Sequence, residues 1–257
     1  MNINFTQIFQ DCWNFMRNQK KITQQFIFFF FISSLIFYFL LTAVVPMPEI
    51  SQANGQNLPL PSNISAEFLV IGVAQQLVSL FISSWGILTF HRISTQQQNP
   101  LNQNPLNQSA VLTLQRFAGV VAVSVIGFIP LMIGVVESLF AILQGQSPSI
   151  LSLVAMLLGF FIFVRLSLAS TEYLIQPVGI MQALKNSWLN GVKRASPLFI
   201  YCLLIYVVLP FVVRRISSLS DNLVFDVVML FLSAAVGVFS LLFTYRFYTL
   251  FMRKDQQ

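Results

Sequence analysis

Charge is what this chain has least of. Asp, Glu, Lys and Arg make up 9% of its 257 residues, against roughly 25% in an ordinary soluble domain, which excludes a water-soluble fold. Histidine occurs once, at His91; that removes multi-histidine metal sites and leaves any Ser/His/Asp triad dependent on a single residue placed in a loop. Two cysteines, Cys12 and Cys202, lie before one apolar run and inside another, so neither a disulfide nor a thiolate metal site is expected. There is no phosphate-binding glycine-rich loop and no C-x-x-C pair. No loop is long enough to house a catalytic domain. The residues therefore nominate no catalytic, cofactor-binding or metal-binding group, and an enzyme is the least expected class.

What is present in quantity is apolar surface, 56% of the chain. Residues 26–45 read FIFFFFISSLIFYFLLTAVV, without a charge, and as a helix they rise about 30 Å, the thickness of a bilayer's hydrocarbon core. In lipid only a helix or a closed barrel satisfies every backbone polar group internally. Comparable runs follow at 68–90, 117–143, 150–169, 198–216 and 223–243. The fold class expected is all-α: one integral membrane domain over 1–257 with six transmembrane helices. The fifth run is marginal because Pro210 interrupts it, and a kink or tilt is expected at Pro130 in the third.

The net charge is +6, but its basic residues come in twos and threes beside the apolar runs, which reads as orientation and not as a nucleic-acid footprint. Arg17, Lys20 and Lys21 precede the first span, placing both termini in the cytoplasm by the positive-inside rule. Arg214 and Arg215 then lie outside, against that rule. Residues 98–108 repeat an Asn-Pro-Leu-Asn-Gln unit. This reads as a flexible loop, with Ser109 capping a short helical lead-in to the third span.

Two further segments have one apolar face at helical spacing. Residues 3–16 carry Ile3, Phe5, Ile8, Phe9, Cys12, Trp13 and Met16; residues 178–194 carry Met181, Leu184, Trp188 and Val192 opposite Lys185, Lys193 and Arg194. Each reads as an interfacial amphipathic helix, lying on the bilayer with its tryptophan at headgroup level or packed on the protein's own cytoplasmic loops. Trp13, Arg17, Lys20, Lys21, Trp188, Lys193 and Arg194 are the candidate lipid-interface residues. Alignment of the two helices suggests three repeated units of one surface helix and two spans, the middle helix being cut short by the Asn-Pro repeat.

Charges inside the apolar runs are costly and so informative. Arg165, near the inner end of the fourth span, is expected to snorkel toward headgroups; the sharper reading is a buried counter-ion. Glu137 and Asp226 fall at the outer ends of the third and sixth spans, at the depth of Arg214 and Arg215. At least one acid is expected to pair with one arginine, as a clip between hairpins or, alternatively, as an ion relay. Between the two faces the membrane centre carries no charge.

The stretch Asp11-Cys12-Trp13-Asn14-Phe15-Met16-Arg17-Asn18-Gln19, then Trp188-Leu189-Asn190 leading to Pro197, and the closing Tyr245-Arg246-Phe247-Tyr248-Thr249-Leu250-Phe251-Met252-Arg253 resemble the YciC-like family of bacterial inner-membrane proteins. The resemblance implies a multi-pass protein of the bacterial cell inner membrane whose activity has not been established, and it supplies no site residues. The leading expectation is a non-enzymatic component whose basic tryptophan helices engage membrane lipids or a membrane-protein partner, with no nucleic acid and no cofactor. The alternative is a transporter or flippase of a lipid or small amphiphile. Its mark would be a broken helix lined with polar groups at mid-membrane, at Pro130 or Pro210.

Overall fold

The computed structural model describes residues 3–44, 66–96, 105–220 and 222–252. The proline-rich loop after the first span, the first half of the Asn-Pro repeat, and Arg253 and Lys254 lie outside them. The described residues contain no strand. Their helices are α1 (Phe5–Asn18), α2 (Lys20–Val44), α3 (Ala66–Gln96), α4 (Pro105–Leu143), α5 (Ile150–Leu166), α6 (Ala169–Ile175), α7 (Ile180–Lys193), α8 (Ala195–Cys202), α9 (Leu209–Ser217) and α10 (Leu223–Met252). A π-helical segment, Leu203–Val208, joins α8 to α9 without a break. Six stretches are long and apolar enough to cross a membrane: Lys20–Val44, Ala66–Thr95, Pro105–Ile142, Ile150–Ile175, Ala195–Ser217 and Leu223–Met252.

Consecutive spans pack antiparallel. Phe26 at the start of α2 meets Trp85 and Phe90 at the end of α3, and Trp85 donates its indole N–H to the Leu106 carbonyl at the start of α4, 2.9 Å away. Helices α4 and α5 approach most closely. A Cβ at Gly134 would sit 2.5 Å from the Met156 nitrogen, and one at Gly159 would sit 2.5 Å from Leu131 and the Pro130 carbonyl. Bare glycine at both points lets the backbones touch, the usual device where lipid gives helices no hydrophobic reason to associate.

The Asn-Pro repeat departs from expectation. Pro105 opens α4, and Pro105 to Gln108 form its first turn. Proline is excluded from a helix interior by its missing N–H, but at the first helical position that N–H has no partner to lose. Ser109 is consequently an internal, fully buried residue and not a cap. His91 likewise lies inside α3 and not in a loop.

Helix α1 docks on the end of α10 rather than on loops. Ile8 and Cys12 are fully buried; Phe5 stacks on Phe243 and Phe247, and Phe9 packs on Phe239 and Phe243. Asn4 caps the helix by accepting the Gln7 N–H. Trp13 is left 65% exposed. On α7 the protein-facing residues are small, Ala183, Ser187 and Gly191. Its Met181 and Val192 point away from the protein, while Trp188, 36% exposed, meets Phe161 edge-on and lies beside Arg165.

Candidate functional site

The feature with most chemical content is a chamber of about 290 Å³ between α3, α4, α5, α6, the π-helical segment and α10. Its polar lining is almost entirely hydroxyl: Ser79, Ser83 and Ser84 from α3, Ser124 from α4, Ser167, Ser170 and Thr171 from the α5–α6 bend, Tyr206 from the π segment, and Ser240 and Thr244 from α10. Val120, Val123, Phe128, Phe163 and Ile205 supply an apolar wall. Ser83, Ser124, Tyr206 and Ser240 each fall near the middle of their spans, while Ser167, Ser170 and Thr171 stand toward the end of theirs, so the chamber runs from mid-span toward the α5–α6 bend. No charged side chain lines it.

Some hydroxyls are spent on their own helices. Ser84 donates to the Leu80 carbonyl at 2.7 Å, Ser240 to Val236 at 2.9 Å and Thr244 to Ser240 at 2.8 Å. The side chains of Ser79, Ser83, Ser124 and Ser170 make no hydrogen bond with any described residue. Those groups are available to a molecule in the chamber.

One wall is a continuous span whose helix widens into a π turn. In the π segment the Leu209 N–H reaches back to the Leu204 carbonyl, and one residue later Pro210 has no N–H to give. Inserting the wider turn just before the proline lets a single continuous span tolerate it, which is how the marginal fifth run crosses; such wide turns occur frequently at functional sites. Tyr206 and Ile205 come from this segment. Pro130 stays inside a continuous α4.

Two more cavities lie toward the ends of the bundle. One of about 510 Å³ is bounded by Tyr38, Arg214, Asp226, Ser233 and Gly237, and shares Ile205 and Ser240 with the chamber. The other, about 450 Å³, is at the end that carries α1 and α7. It is bounded by His91, Glu172, Gln176, Asn186, Asn190, Tyr245 and Tyr248. Short helix α6 stands between it and the chamber: Thr171 and Leu174 face the chamber, Glu172 and Ile175 the end cavity.

Arg116 holds α6 in place. Its guanidinium donates to the carbonyls of Leu174 at 3.2 Å, Gln176 at 2.9 Å and Val178 at 3.5 Å, and lies 4.8 Å from the Tyr173 ring. A cation on the carbonyls that close a short helix satisfies groups the helix itself leaves unpaired.

The expected clip between acids and arginines is not formed. Glu137 accepts a hydrogen bond from the Ser149 hydroxyl at 2.5 Å, and Asp226 accepts one from the Tyr38 hydroxyl at 3.0 Å. Arg215 lies over its own helix neighbour Phe211 at 5.1 Å, while Arg214 lines the 510 Å³ cavity beside Asp226 without an ion pair. Glu137 lies within two turns of the α4–α5 connection, where the Ser149 hydroxyl reaches it. Asp226 is aimed at α2, not α9. The tie actually made is between the first and last helices: Arg246 donates to Asp11 at 2.8 Å.

Of the interface candidates, Trp13, Arg17, Lys20, Lys21, Trp188 and Lys193 are exposed. Arg194 is drawn inward and donates to the Phe251 carbonyl at 2.8 Å. Arg165 neither snorkels freely nor meets an acid. It lies 4.8 Å from the Phe161 ring and 5.9 Å from Trp188, with Nη1 enclosed and without a hydrogen-bond partner. The sequence reading passed over Glu172 and the chamber. Glu172 carried one signal, an acid between two apolar runs, and the scattered serines carried none.

No family model matches the chain, and no solved structure matches it. A protein of Haemophilus influenzae (strain ATCC 51907 / DSM 11121 / KW20 / Rd), described only as an uncharacterized protein, is 39% identical over 254 residues, covering 98% of this chain and 100% of that relative. At that identity and coverage the chain belongs to the same family as this Haemophilus influenzae protein.

Proposed function

We infer that this is a non-enzymatic, multi-pass protein of the bacterial inner membrane that binds a small uncharged amphiphile at mid-membrane and passes it between the two faces. The observation that carries the reading is the charge-free chamber, with unspent serine hydroxyls on one side and an apolar wall on the other, built against the π-helical turn before Pro210. Binding sites of carriers typically lie near the bilayer midplane, and π turns inside helices recur at functional sites. A volume of about 290 Å³ is at the small end of ligand pockets, so the solute is small. An uncharged lining selects against ions, since a charge there would meet no counter-charge. The cavity at the Tyr38–Asp226 end, which shares Ile205 and Ser240 with the chamber, supplies an approach from that side. Placement in the inner membrane rests on the all-helical spans, the bacterial relative and the likeness to the YciC-like family.

A second reading, attachment to anionic lipid, is favoured by the outward-facing Met181 and Val192 of α7, with Trp188 partly exposed and Lys193 exposed beside them. It sets orientation and is compatible with the first. The test of the first is native mass spectrometry of the protein purified with its own lipids, comparing wild type with Ser83→Phe and Ser124→Phe. A small bound species present in wild type and displaced from both variants supports the chamber. Identical bound masses in all three, with unchanged melting behaviour, would refute it.

A further inference from the structure

Glu172 is 6% exposed, and the groups that hydrogen-bond its carboxylate are neutral. Tyr248 donates to Oε2 at 2.5 Å and Asn186 Nδ2 donates to Oε1 at 2.9 Å. The Asn186 amide is oriented by Gln182, whose Nε2 donates 2.8 Å to Asn186 Oδ1, leaving the NH2 group for the acid. No cation among the described residues pairs with Glu172. Of the basic side chains nearby, His91 on the wall of the same cavity lies 3.4 Å from the Tyr245 hydroxyl, and Arg116 spends its guanidinium on the carbonyls of Leu174, Gln176 and Val178. A carboxylate out of water and held by two neutral donors still lacks the counter-charge that normally compensates burial.

The same carboxyl group borders the 450 Å³ end cavity, whose other walls include the His91 imidazole, the amides of Gln176, Asn186 and Asn190 and the rings of Tyr245 and Tyr248. One buried acid, amide acceptors and electron-rich ring faces are the combination that recognises an organic ammonium group. The volume is far beyond what a bare metal ion fills. We propose that this cavity is a binding site for a small primary ammonium group, with Glu172 as its counter-ion, Tyr248 and Asn186 holding the carboxylate in place, and the amide carbonyls of Gln176 and Asn190 accepting the ammonium N–H groups. The site is separate from the mid-membrane chamber and does not depend on what that chamber carries.

An ammonium group of this kind comes either from a free amine or from the headgroup of phosphatidylethanolamine, and the test separates them. Full-length protein is placed in nanodiscs of phosphatidylglycerol, and its melting temperature is followed by tryptophan fluorescence while ethanolamine or its neutral analogue ethylene glycol is added. The measurement is repeated in discs containing phosphatidylethanolamine. For a free amine, ethanolamine raises Tm saturably in both discs and ethylene glycol does not. For a headgroup, discs containing phosphatidylethanolamine raise Tm by themselves and added ethanolamine does little. In either case Glu172→Gln, which keeps the shape, loses the shift or weakens the apparent affinity by roughly tenfold or more, as expected for removing one partner of a buried charge pair. Asn190→Leu, on the far wall and outside the Tyr248–Glu172–Asn186 cluster, loses it too, which covers the case in which Glu172→Gln folds poorly. The proposal fails if neither ammonium source shifts Tm, if ethylene glycol acts equally, or if Glu172→Gln and Asn190→Leu both fold and respond as wild type does. It fails also if Arg253→Gln with Lys254→Gln lowers Tm as much as Glu172→Gln does, because the chain would then supply its own cation.

Discussion

Docking of α1 on α10 offers a direct measurement, because the only cysteine outside the spans is in the contact. Cys12 is fully buried between Asp11 and Trp13, and burial pushes its thiol from an ordinary 9.0 up to about 12, with Arg246 opposing the rise and Asp11 adding to it. In a Cys202→Ala background the thiolate needed for maleimide attack therefore forms only when α1 lifts away. Labelling then reports the fraction of time the helix is undocked. Ile8 occupies the same buried face one turn earlier and is 0% exposed. Removing its side chain to alanine costs about 3 kcal/mol if the site does not collapse, so Ile8→Ala should accelerate Cys12 labelling roughly 100-fold. Trp13→Ala, on the exposed face, should leave the rate within about threefold, since surface substitutions stay near 0.5 kcal/mol. The pH dependence has a definite sign. Because the docked thiol has the higher pKa, docking is fully stable below pH 9.0 and weakens from there toward pH 12, by about 1.4 kcal/mol per unit. The reasoning is refuted if Cys12 labels as fast as an unstructured thiol in the parent protein, or if Ile8→Ala and Trp13→Ala have equal effects.

Four other outcomes follow, three from the same structure and the last from the placement of basic residues beside the spans. Gly134→Leu and Gly159→Leu should each destabilise the protein by several kcal/mol, visible as loss of a monodisperse detergent-solubilised peak, because even a Cβ there collides with the partner backbone. Gly72→Ala should be tolerated, as nothing lies within 4 Å of its would-be Cβ. Asp11→Asn should lower thermal stability by no more than about 1 kcal/mol, because the Arg246–Asp11 bridge is 39% and 31% exposed. Cysteines introduced at positions 103 and 56 of a cysteine-free chain should react only after lysis and from outside intact cells, respectively. The reverse pattern would invert the topology.

The six spans were legible because crossing a bilayer is a one-dimensional demand: a long enough run of residues without charge must bury its backbone in a helix, whatever surrounds it. The periodicity of α1 and α7 was legible for a similar reason, since a face is a property of spacing. What each face meets was not. Phe5, Ile8 and Cys12 were free to choose lipid or protein until Phe243 and Phe247 were brought beside them. The Asn-Pro repeat misled because proline's meaning depends on position: inside a helix it breaks hydrogen bonds, and as Pro105 at the very start it loses none.

The candidate sites belong wholly to the tertiary level. Ser83, Ser124, Ser170 and Ser240 stand on different helices, and a lone serine in an apolar run is unremarkable in each. Only their convergence makes a hydroxyl-lined chamber. Glu137, Asp226, Arg214 and Arg215 show the converse, where equal depth along the spans did not bring the charges together and nearby hydroxyls took the acids instead. Composition and order thus determined that the chain is a bundle of membrane-crossing helices, because solvation of the backbone is decided locally. Which side chains face one another, and so where a molecule can bind, was decided by how those helices rotate about their axes and how closely they approach. That is a matter of packing, to which the run of apolar residues is indifferent.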